Sequence, residues 1–136
     1  MYLFDTDIVI AFLRKSRTSN VIKSFEDVPP YQQHLSTVSV SELVYGACRS
    51  KHPEYHLDQI LNTLLPNIKI LEFDAHAAWK AGELRANLAG RGQSIDFPDL
   101  QIASIAMSRN LTLVTGNVKH FSRISGLNIQ NWKDKN

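Results

Sequence analysis

Cysteine is nearly absent from this chain of 136 residues, because Cys48 is the only one. A single cysteine excludes an internal disulfide and gives no support to a secreted protein. Long apolar runs are missing too, since no stretch approaches the roughly 20 apolar residues that cross a bilayer, and the first residues lack the basic start of a signal peptide. We therefore expect a cytoplasmic protein without membrane contact, and we interpret Cys48 as a small buried residue of a helix.

An excess of either charge is also lacking, because 15 basic and 13 acidic residues give a net charge of +2. This balance is only a weak indication of nucleic-acid binding. If several acids share one pocket, however, the remaining surface is more basic and attracts a polyanion. The length and the 43% hydrophobic content predict one globular domain over residues 1–136.

Several signatures of known chemistries do not occur. The sequence has no G-x-x-x-x-G-K-[ST] loop, G-x-G-x-x-G turn or G-x-S-x-G elbow, which disfavours nucleotide-driven and serine-hydrolase chemistry. His52 and His56 have the spacing of zinc ligands, but no cysteine or further histidine is placed to complete a set. We interpret this pair, and also His76 and His120, as surface or capping residues.

Short apolar runs alternate with helix-like segments along the chain. The predicted strands are residues 2–4, 34–38, 68–71, 111–115 and an edge strand at 128–130. The predicted helices are residues 6–13, 21–27, 39–48, 53–65, 75–90 and 98–107, of which the third opens on the capping-box pattern S-x-x-E of Ser39 to Glu42 and the fifth is capped by Asp74. This alternation predicts an α/β fold, a three-layer α/β/α sandwich around a central, mainly parallel sheet of four to five strands.

Four acidic residues, Asp5, Glu42, Asp96 and Asp99, each lie where an apolar run meets a helix-like segment. Because the carboxyl ends of parallel strands meet at one edge of the sheet, these side chains can converge from distant positions. Converging carboxylates repel one another unless a cation lies between them, and oxygen ligands suit Mg²⁺ or Mn²⁺. The pattern therefore predicts an acidic pocket for an ion that supports phosphate-ester hydrolysis.

Each carboxylate also has a purely structural interpretation. Asp5 and Asp96 can cap helices, and Glu42 can belong to its capping box. Asp7 fits the first turn of a helix, where the backbone dipole favours negative charge. Asp99 directly precedes an apolar helix and is the better placed of the last two acids for a pocket.

Polar and basic residues suggest where a phosphate group or a polyanion could be held. Thr115 and Asn117 follow a predicted strand and can bind a water or a phosphate oxygen, although an ordinary turn explains them equally well. The basic candidates are Arg14 with Lys15 and Arg17, Arg49, Lys51, Arg85, Arg91, Arg109, Lys119 and Arg123. For any one of these, a solvated helix end is the alternative.

A family resemblance joins these segments. They are Leu3-Phe4-Asp5-Thr6-Asp7, Val40-Ser41-Glu42-Leu43-Val44-Tyr45-Gly46, residues 95–103 and residues 113–127. In this order they resemble the PIN-domain ribonucleases and, more narrowly, the VapC-type toxins of bacterial and archaeal toxin–antitoxin pairs. The resemblance covers residues 1–132, and it depends on the combination of motifs.

The resemblance implies a set of metal-binding acids. The family's acids correspond to Asp5, Glu42 and Asp99, which would hold Mg²⁺ or Mn²⁺ directly or, for Glu42, through water. Asp96 is a further candidate ligand at a position where the family commonly has a small residue. The fourth polar position is Asn117, where many members carry aspartate.

The resemblance also implies supporting residues and partners. Thr6 and Thr115 would be hydroxyls that support the metal ligands. The expected partners are a VapB-like antitoxin whose C-terminal segment covers the acidic pocket, a second copy in a homodimer, and operator DNA only through the antitoxin. The substrate would be RNA such as a tRNA, cut by a metal-activated water, with Arg14, Arg85, Arg91, Lys119 and Arg123 as candidate RNA-binding residues.

Two other functions are compatible with parts of the sequence. Asp5 to Val9 also fits the D-x-D-x-[TV] opening of haloacid-dehalogenase-type phosphatases, with Asp5 as nucleophile and Asp7 as acid/base. That family needs a late acidic motif at a strand end, and the late acids here follow the glycine-rich segment 90–95 instead. A non-catalytic PIN-like module that binds RNA or protein is the other alternative, supported by Asn117.

Overall fold

The computed structural model describes residues 1–14 and 20–133. Five strands are present: β1 Tyr2–Phe4, β2 Gln33–Ser36, β3 Lys69–Leu71, β4 Thr112–Val114 and β5 Ile129–Gln130. The helices are α1 Thr6–Leu13, α2 Asn20–Asp27, α3 Thr37–Cys48, α4 Pro53–Asp58, α5 Ala75–Gly90, α6 Phe97–Ser108 and α7 Val118–Phe121. The helix of α4 continues in π-helical geometry through Gln59–Leu64, and no helix of the described residues is long and apolar enough to cross a membrane.

The five strands form one parallel sheet in the order β3-β2-β1-β4-β5. In the central strand β1, Leu3 lies between His34 of β2 and Leu113 of β4. The chain leaves β1 for β2 and β3 on one side, and then returns to β4 on the other side. The carboxyl ends of β1 and β4 therefore flank a topological switch point, which is where open parallel sheets form their ligand crevice.

Alternating side chains of the strands bury two cores, one on each face of the sheet. Phe4 and Val114 pack with the buried residues of α1 to α3 and of the π-helical segment, whereas Leu3 and Leu113 pack with those of α5 to α7. Trp132, which follows β5, is buried in the first core with its ring 5.1 Å from that of Phe4. The predicted three-layer α/β/α sandwich is thus confirmed.

The start of α3 differs from the prediction. The capping-box interpretation of Ser39 and Glu42 is wrong, because Ser36 is the N-cap and its side chain accepts a hydrogen bond from the backbone N–H of Ser39. The β-branched residues Thr37 and Val38 favour a strand by propensity. A hydroxyl at the end of β2 stabilises a helix start three residues earlier instead, and β2 ends at Ser36.

Two further local predictions had different outcomes. Asp74 is the N-cap of α5, as predicted, and its carboxylate accepts from the backbone N–H of Ala77 at 2.9 Å. Cys48 is exposed rather than buried, so its interpretation as a core residue is wrong. Leu43 and Ala47 form the buried face of α3, and Cys48, one position further along the helix, points away from it.

The two-core packing predicts a large difference between two leucine truncations. Leu113→Ala removes a side chain that is 0% exposed in the central sheet, and we expect it to lower the free energy of unfolding by about 2–5 kcal/mol. Leu61→Ala, at a residue that is 63% exposed, is the matched control and should change it by about 0.5 kcal/mol or less. Urea unfolding of both variants measures the difference, and equal losses would contradict the assigned core.

Candidate active site

Asp5 lies at the carboxyl end of the central strand and is only 7% exposed. It is the N-cap of α1, where its Oδ1 accepts a hydrogen bond from the backbone N–H of Thr6 at 2.8 Å. Its Oδ2 accepts from the hydroxyl of Thr115 at 2.8 Å. Asp5 is therefore both the cap of α1 and a buried carboxylate at the end of the sheet. Thr115, which follows β4, supports that carboxylate.

Burial of Asp5 raises its pKa from 3.8 to about 6, because a carboxylate removed from water is less stable in its charged form. The hydrogen bonds from Thr115 and Thr6 partly offset this rise, whereas the negative charges of Asp7 and Asp99 add to it. Three carboxylates thus lie close enough to repel one another at this edge of the sheet. Such a group is stabilised in its charged form by a cation.

Asp99 lies in the first turn of α6 and faces His120 of α7. Burial raises the pKa of Asp99, the imidazole of His120 partly offsets that rise, and Asp96 and Asp7 add to it. His120 Nε2 lies 3.0 Å from Asp99 Oδ2. The interpretation of His120 as a surface or capping residue is therefore wrong, since it belongs to the acidic site.

Two predicted RNA-binding arginines are held by contacts within the protein. Arg123 donates from Nε to the carbonyl of His120 at 3.0 Å, and its Nη2 lies 3.0 Å from His120 Nδ1. Arg91 donates from Nη2 to the carbonyl of Arg123 at 2.6 Å and to Asn87 Oδ1 at 3.0 Å. Both side chains therefore help to fix the segment that carries His120, and their contact with RNA stays a prediction.

Glu42 lies in the second turn of α3 on an exposed face of the helix. Its Oε1 lies 2.7 Å from the hydroxyl of Thr6, which donates to the carboxylate. This contact brings Glu42 to the first turn of α1, next to the residue that caps that helix. Thr6 thus links two of the predicted acids, because its backbone binds Asp5 and its side chain binds Glu42.

Asp7 has a larger role than a first-turn acid. Its Oδ2 accepts from the backbone N–H of Gly116 at 3.0 Å and contacts Lys133 Nζ at 3.2 Å. Its Oδ1 is buried without a hydrogen-bond partner in the described part of the chain. A Cβ at Gly116 would lie 2.6 Å from Asp7 Oδ2, so any other residue there would displace the Asp7 carboxylate. Nothing in the sequence pattern indicated Gly116 or Lys133.

The other predicted residues lie around this centre. The backbone N–H of Asn117 donates to Thr115 Oγ1 at 2.9 Å, and the Asn117 side chain does not cap α7. Asp96 occupies the N-cap position of α6 without a capping hydrogen bond from its side chain. In residues 1–14 and 20–133, no three side chains of His, Cys, Asp or Glu converge closely enough to hold a metal ion as they stand.

The basic candidates are spread over several surfaces. Arg14 and Glu42 line a groove of about 460 Å³ between α1, α3 and α4, together with His56. Arg85 on α5 and Lys119 on α7 are exposed. Lys15 and Arg17 lie outside the described residues. The groove therefore brings one predicted RNA-binding cation near one predicted metal ligand.

The raised pKa of Asp5 predicts a pH-dependent stability. Between about 3.8 and 6 the folded protein binds more protons at Asp5 than the unfolded chain, so a rise of pH through this window destabilises the fold. In EDTA we expect Asp5→Asn to be more stable than wild type near neutral pH, by up to about 3 kcal/mol, and the advantage to shrink towards pH 4. Urea unfolding across this range tests it, and a less stable variant at neutral pH would contradict it.

The comparisons with known proteins agree over nearly the whole chain. The PIN domain model matches residues 2–127. A protein of Shigella flexneri named tRNA(fMet)-specific endonuclease VapC is 35% identical over 131 residues, which cover 96% of this chain and 97% of that protein. These matches decide against the haloacid-dehalogenase interpretation of Asp5 and Asp7.

Solved structures with the same fold include a DNA-bound VapBC from Salmonella typhimurium, with a TM-score of 0.87, 31% identity and coverage of 96% of this chain and 97% of that chain. VapBC2 from Rickettsia felis, bound to a DNA fragment from its promoter, matches with a TM-score of 0.86, 33% identity and coverage of 96% and 98%. The buried acid at the switch point, the family match and these similarities agree: the chain belongs to the PIN-domain family and, within it, to the VapC ribonucleases.

Proposed function

We propose that this chain is the ribonuclease toxin of a VapBC-type toxin–antitoxin module and that it cleaves a structured RNA, with initiator tRNA as the first substrate to test. The observation that carries the proposal is the buried Asp5 carboxylate, which lies at the sheet's switch point within repulsive range of Asp7 and Asp99. The name tRNA(fMet)-specific endonuclease, given to relatives over 30% identical, supports the choice of substrate.

The residues of the site fit a hard divalent cation, Mg²⁺ or Mn²⁺. The donors are carboxylate oxygens, the type that such ions prefer. The pKa values of Asp5 and Asp99 are both raised, and a bound cation would reverse the repulsion that contributes to these shifts. Asp5, Asp99 and Glu42 would hold the ion, directly or through waters, and Asp96 is a further candidate beside Asp99.

An ion held by these carboxylates would supply activation of a water for attack on the phosphodiester and would offset the negative charge on the phosphate. The protein's own residues prepare this step. Thr115 and Thr6 fix the two oxygens of Asp5 at 2.8 Å, so the carboxylate enters the reaction already oriented. His120 Nε2 lies 3.0 Å from one oxygen of Asp99 and restricts the space open to that side chain. Attack by water leaves a 5′-phosphate and a 3′-hydroxyl.

Recognition of the RNA would depend on charge and shape. Arg14 in the groove beside Glu42 and the exposed Arg85 and Lys119 are the cations available to hold the phosphate backbone. The choice of target would then come from unpaired loop bases, since the grooves of an RNA helix expose little sequence information. A tRNA, with its fixed shape and unpaired anticodon loop, suits such a surface.

The structural relatives support a set of partners. They are VapBC complexes, some of them bound to DNA. We propose a VapB-like antitoxin that covers the acidic pocket through its C-terminal segment, contact with operator DNA only through that antitoxin, and a homodimer of the toxin. A cytoplasmic location follows from a tRNA substrate. A non-catalytic binding role is disfavoured because the named relatives are endonucleases.

Removal of a metal-site carboxylate should slow cleavage strongly without loss of the fold. We expect Asp99→Asn to cut initiator tRNA about 100-fold more slowly than wild type, because the ion loses a charged ligand. Asp27→Asn, at an exposed residue that ends α2, is the matched control and should cut at the wild-type rate. Gel analysis of purified, antitoxin-free protein with Mg²⁺ or with EDTA measures both, and cleavage by Asp99→Asn at the control rate would refute the assignment.

The metal should also stabilise the protein in the absence of RNA. Mn²⁺ at about 100 times its dissociation constant would raise the free energy of unfolding by about 2.7 kcal/mol. In Asp99→Asn the gain at the same Mn²⁺ concentration should be much smaller. Thermal unfolding with and without Mn²⁺ tests this, with Asp27→Asn again as control. Equal stabilisation of all three proteins would place the ion elsewhere.

A further inference from the structure

A continuous line of hydroxyl groups leads from the end of β2 to Glu42. Ser36 Oγ lies 3.4 Å from Ser39 Oγ, Ser39 Oγ lies 2.9 Å from Thr6 Oγ1, and Thr6 Oγ1 lies 2.7 Å from Glu42 Oε1. Ser36 and Ser39 are both 0% exposed. We call these four side chains the hydroxyl relay.

The direction of the hydrogen bonds in the relay follows from the number of hydrogens available. A hydroxyl donates only one hydrogen, and an ionised carboxylate only accepts. Thr6 must therefore donate to Glu42, so its contact with Ser39 requires Ser39 to be the donor. Behind Ser39, the Ser36 hydroxyl lies at the longer distance of 3.4 Å, and its oxygen accepts the backbone N–H of Ser39 at 3.0 Å. Ser39 and Thr6 thus both donate towards Glu42.

The hydroxyl relay holds the Glu42 side chain in one position. Glu42 is exposed on α3, and its contact with Thr6 is the hydrogen bond that the structure gives its carboxylate. A glutamate side chain loses considerable rotamer freedom when it is fixed. Thr6 can hold the Glu42 carboxylate only if the Thr6 O–H bond points towards it. Ser39 favours this direction, because it donates its own hydrogen to the Thr6 oxygen.

We propose that Ser39 is a positioning residue which, through the Thr6 hydroxyl, holds the Glu42 carboxylate towards the metal site. The proposal rests on the proposed function, because Glu42 is a ligand there. Ser36 has the additional task of capping α3, so its removal would also disturb the helix. Ser39 is the cleaner position to test.

The first experiment compares two serines of the same helix. Ser39→Ala removes the donor to Thr6, and we expect Mn²⁺ affinity, measured by calorimetry with the metal alone, and the cleavage rate each to fall by about tenfold. Ser41→Ala is the matched control, since Ser41 is exposed and adjacent to Glu42. Far-UV circular dichroism monitors the fold. If Ser39→Ala does not fold, Ser39→Cys replaces it, because a thiol of similar size is only a weak donor.

The second experiment asks whether Ser39 acts through Glu42. In a Glu42→Gln background the same substitution of Ser39 should change Mn²⁺ affinity and cleavage by less than about twofold, because the carboxylate it positions is gone. A full effect in that background would overturn the positioning role, as would a Ser39→Ala variant indistinguishable from Ser41→Ala while Glu42→Gln is impaired. Wild-type behaviour of Glu42→Gln would instead overturn the ligand role of Glu42, and with it this inference.

Discussion

The burial of one carboxylate, that of Asp5, is the constraint around which the site is built. A charged group at the end of the central strand is costly unless its oxygens are bound, and Thr6 and Thr115 supply a hydrogen bond to each. These two residues come from opposite sides of the switch point, because Thr6 begins α1 and Thr115 follows β4. The remaining cost is visible in the raised pKa of Asp5. The cation proposed above would offset this remaining cost.

The two other predicted metal ligands are held by different contacts. Asp99 is positioned by the start of α6 and is contacted by His120, whose segment is fixed by Arg123 and Arg91. Glu42 is held at the first turn of α1 by the hydroxyl of Thr6. The Asp99 carboxylate is therefore contacted by the imidazole of His120, and the Glu42 carboxylate by the hydroxyl of Thr6. The two sides of the site can respond differently to changes in the surrounding chain.

The sequence was sufficient for the architecture, because β1, β3 and β4 are short runs rich in apolar residues and polar residues separate each of them from the helix that follows. The sequence also predicted that Asp5 and Thr115 lie close together, although 110 positions separate them, because both follow strands of one parallel sheet. The sequence was insufficient for side chains whose positions depend on tertiary packing. His120 belongs to a four-residue helix whose orientation is set by the burial of Phe121, which no local pattern reveals. The start of α3 was missed because Thr37 and Val38 resemble a strand while the hydroxyl of Ser36 caps a helix.

The end of the described chain forms part of the wall of the site. Trp132 is anchored in the core, and Lys133, the next residue, contacts Asp7 beside Gly116. Met1 lies at the opposite edge of the sheet, where its carbonyl accepts from Thr112 and its side chain is exposed. Lys133 thus ties the segment after β5 to the acidic centre, so a substitution of this one lysine would act on Asp7 and, through its charge, on Asp5.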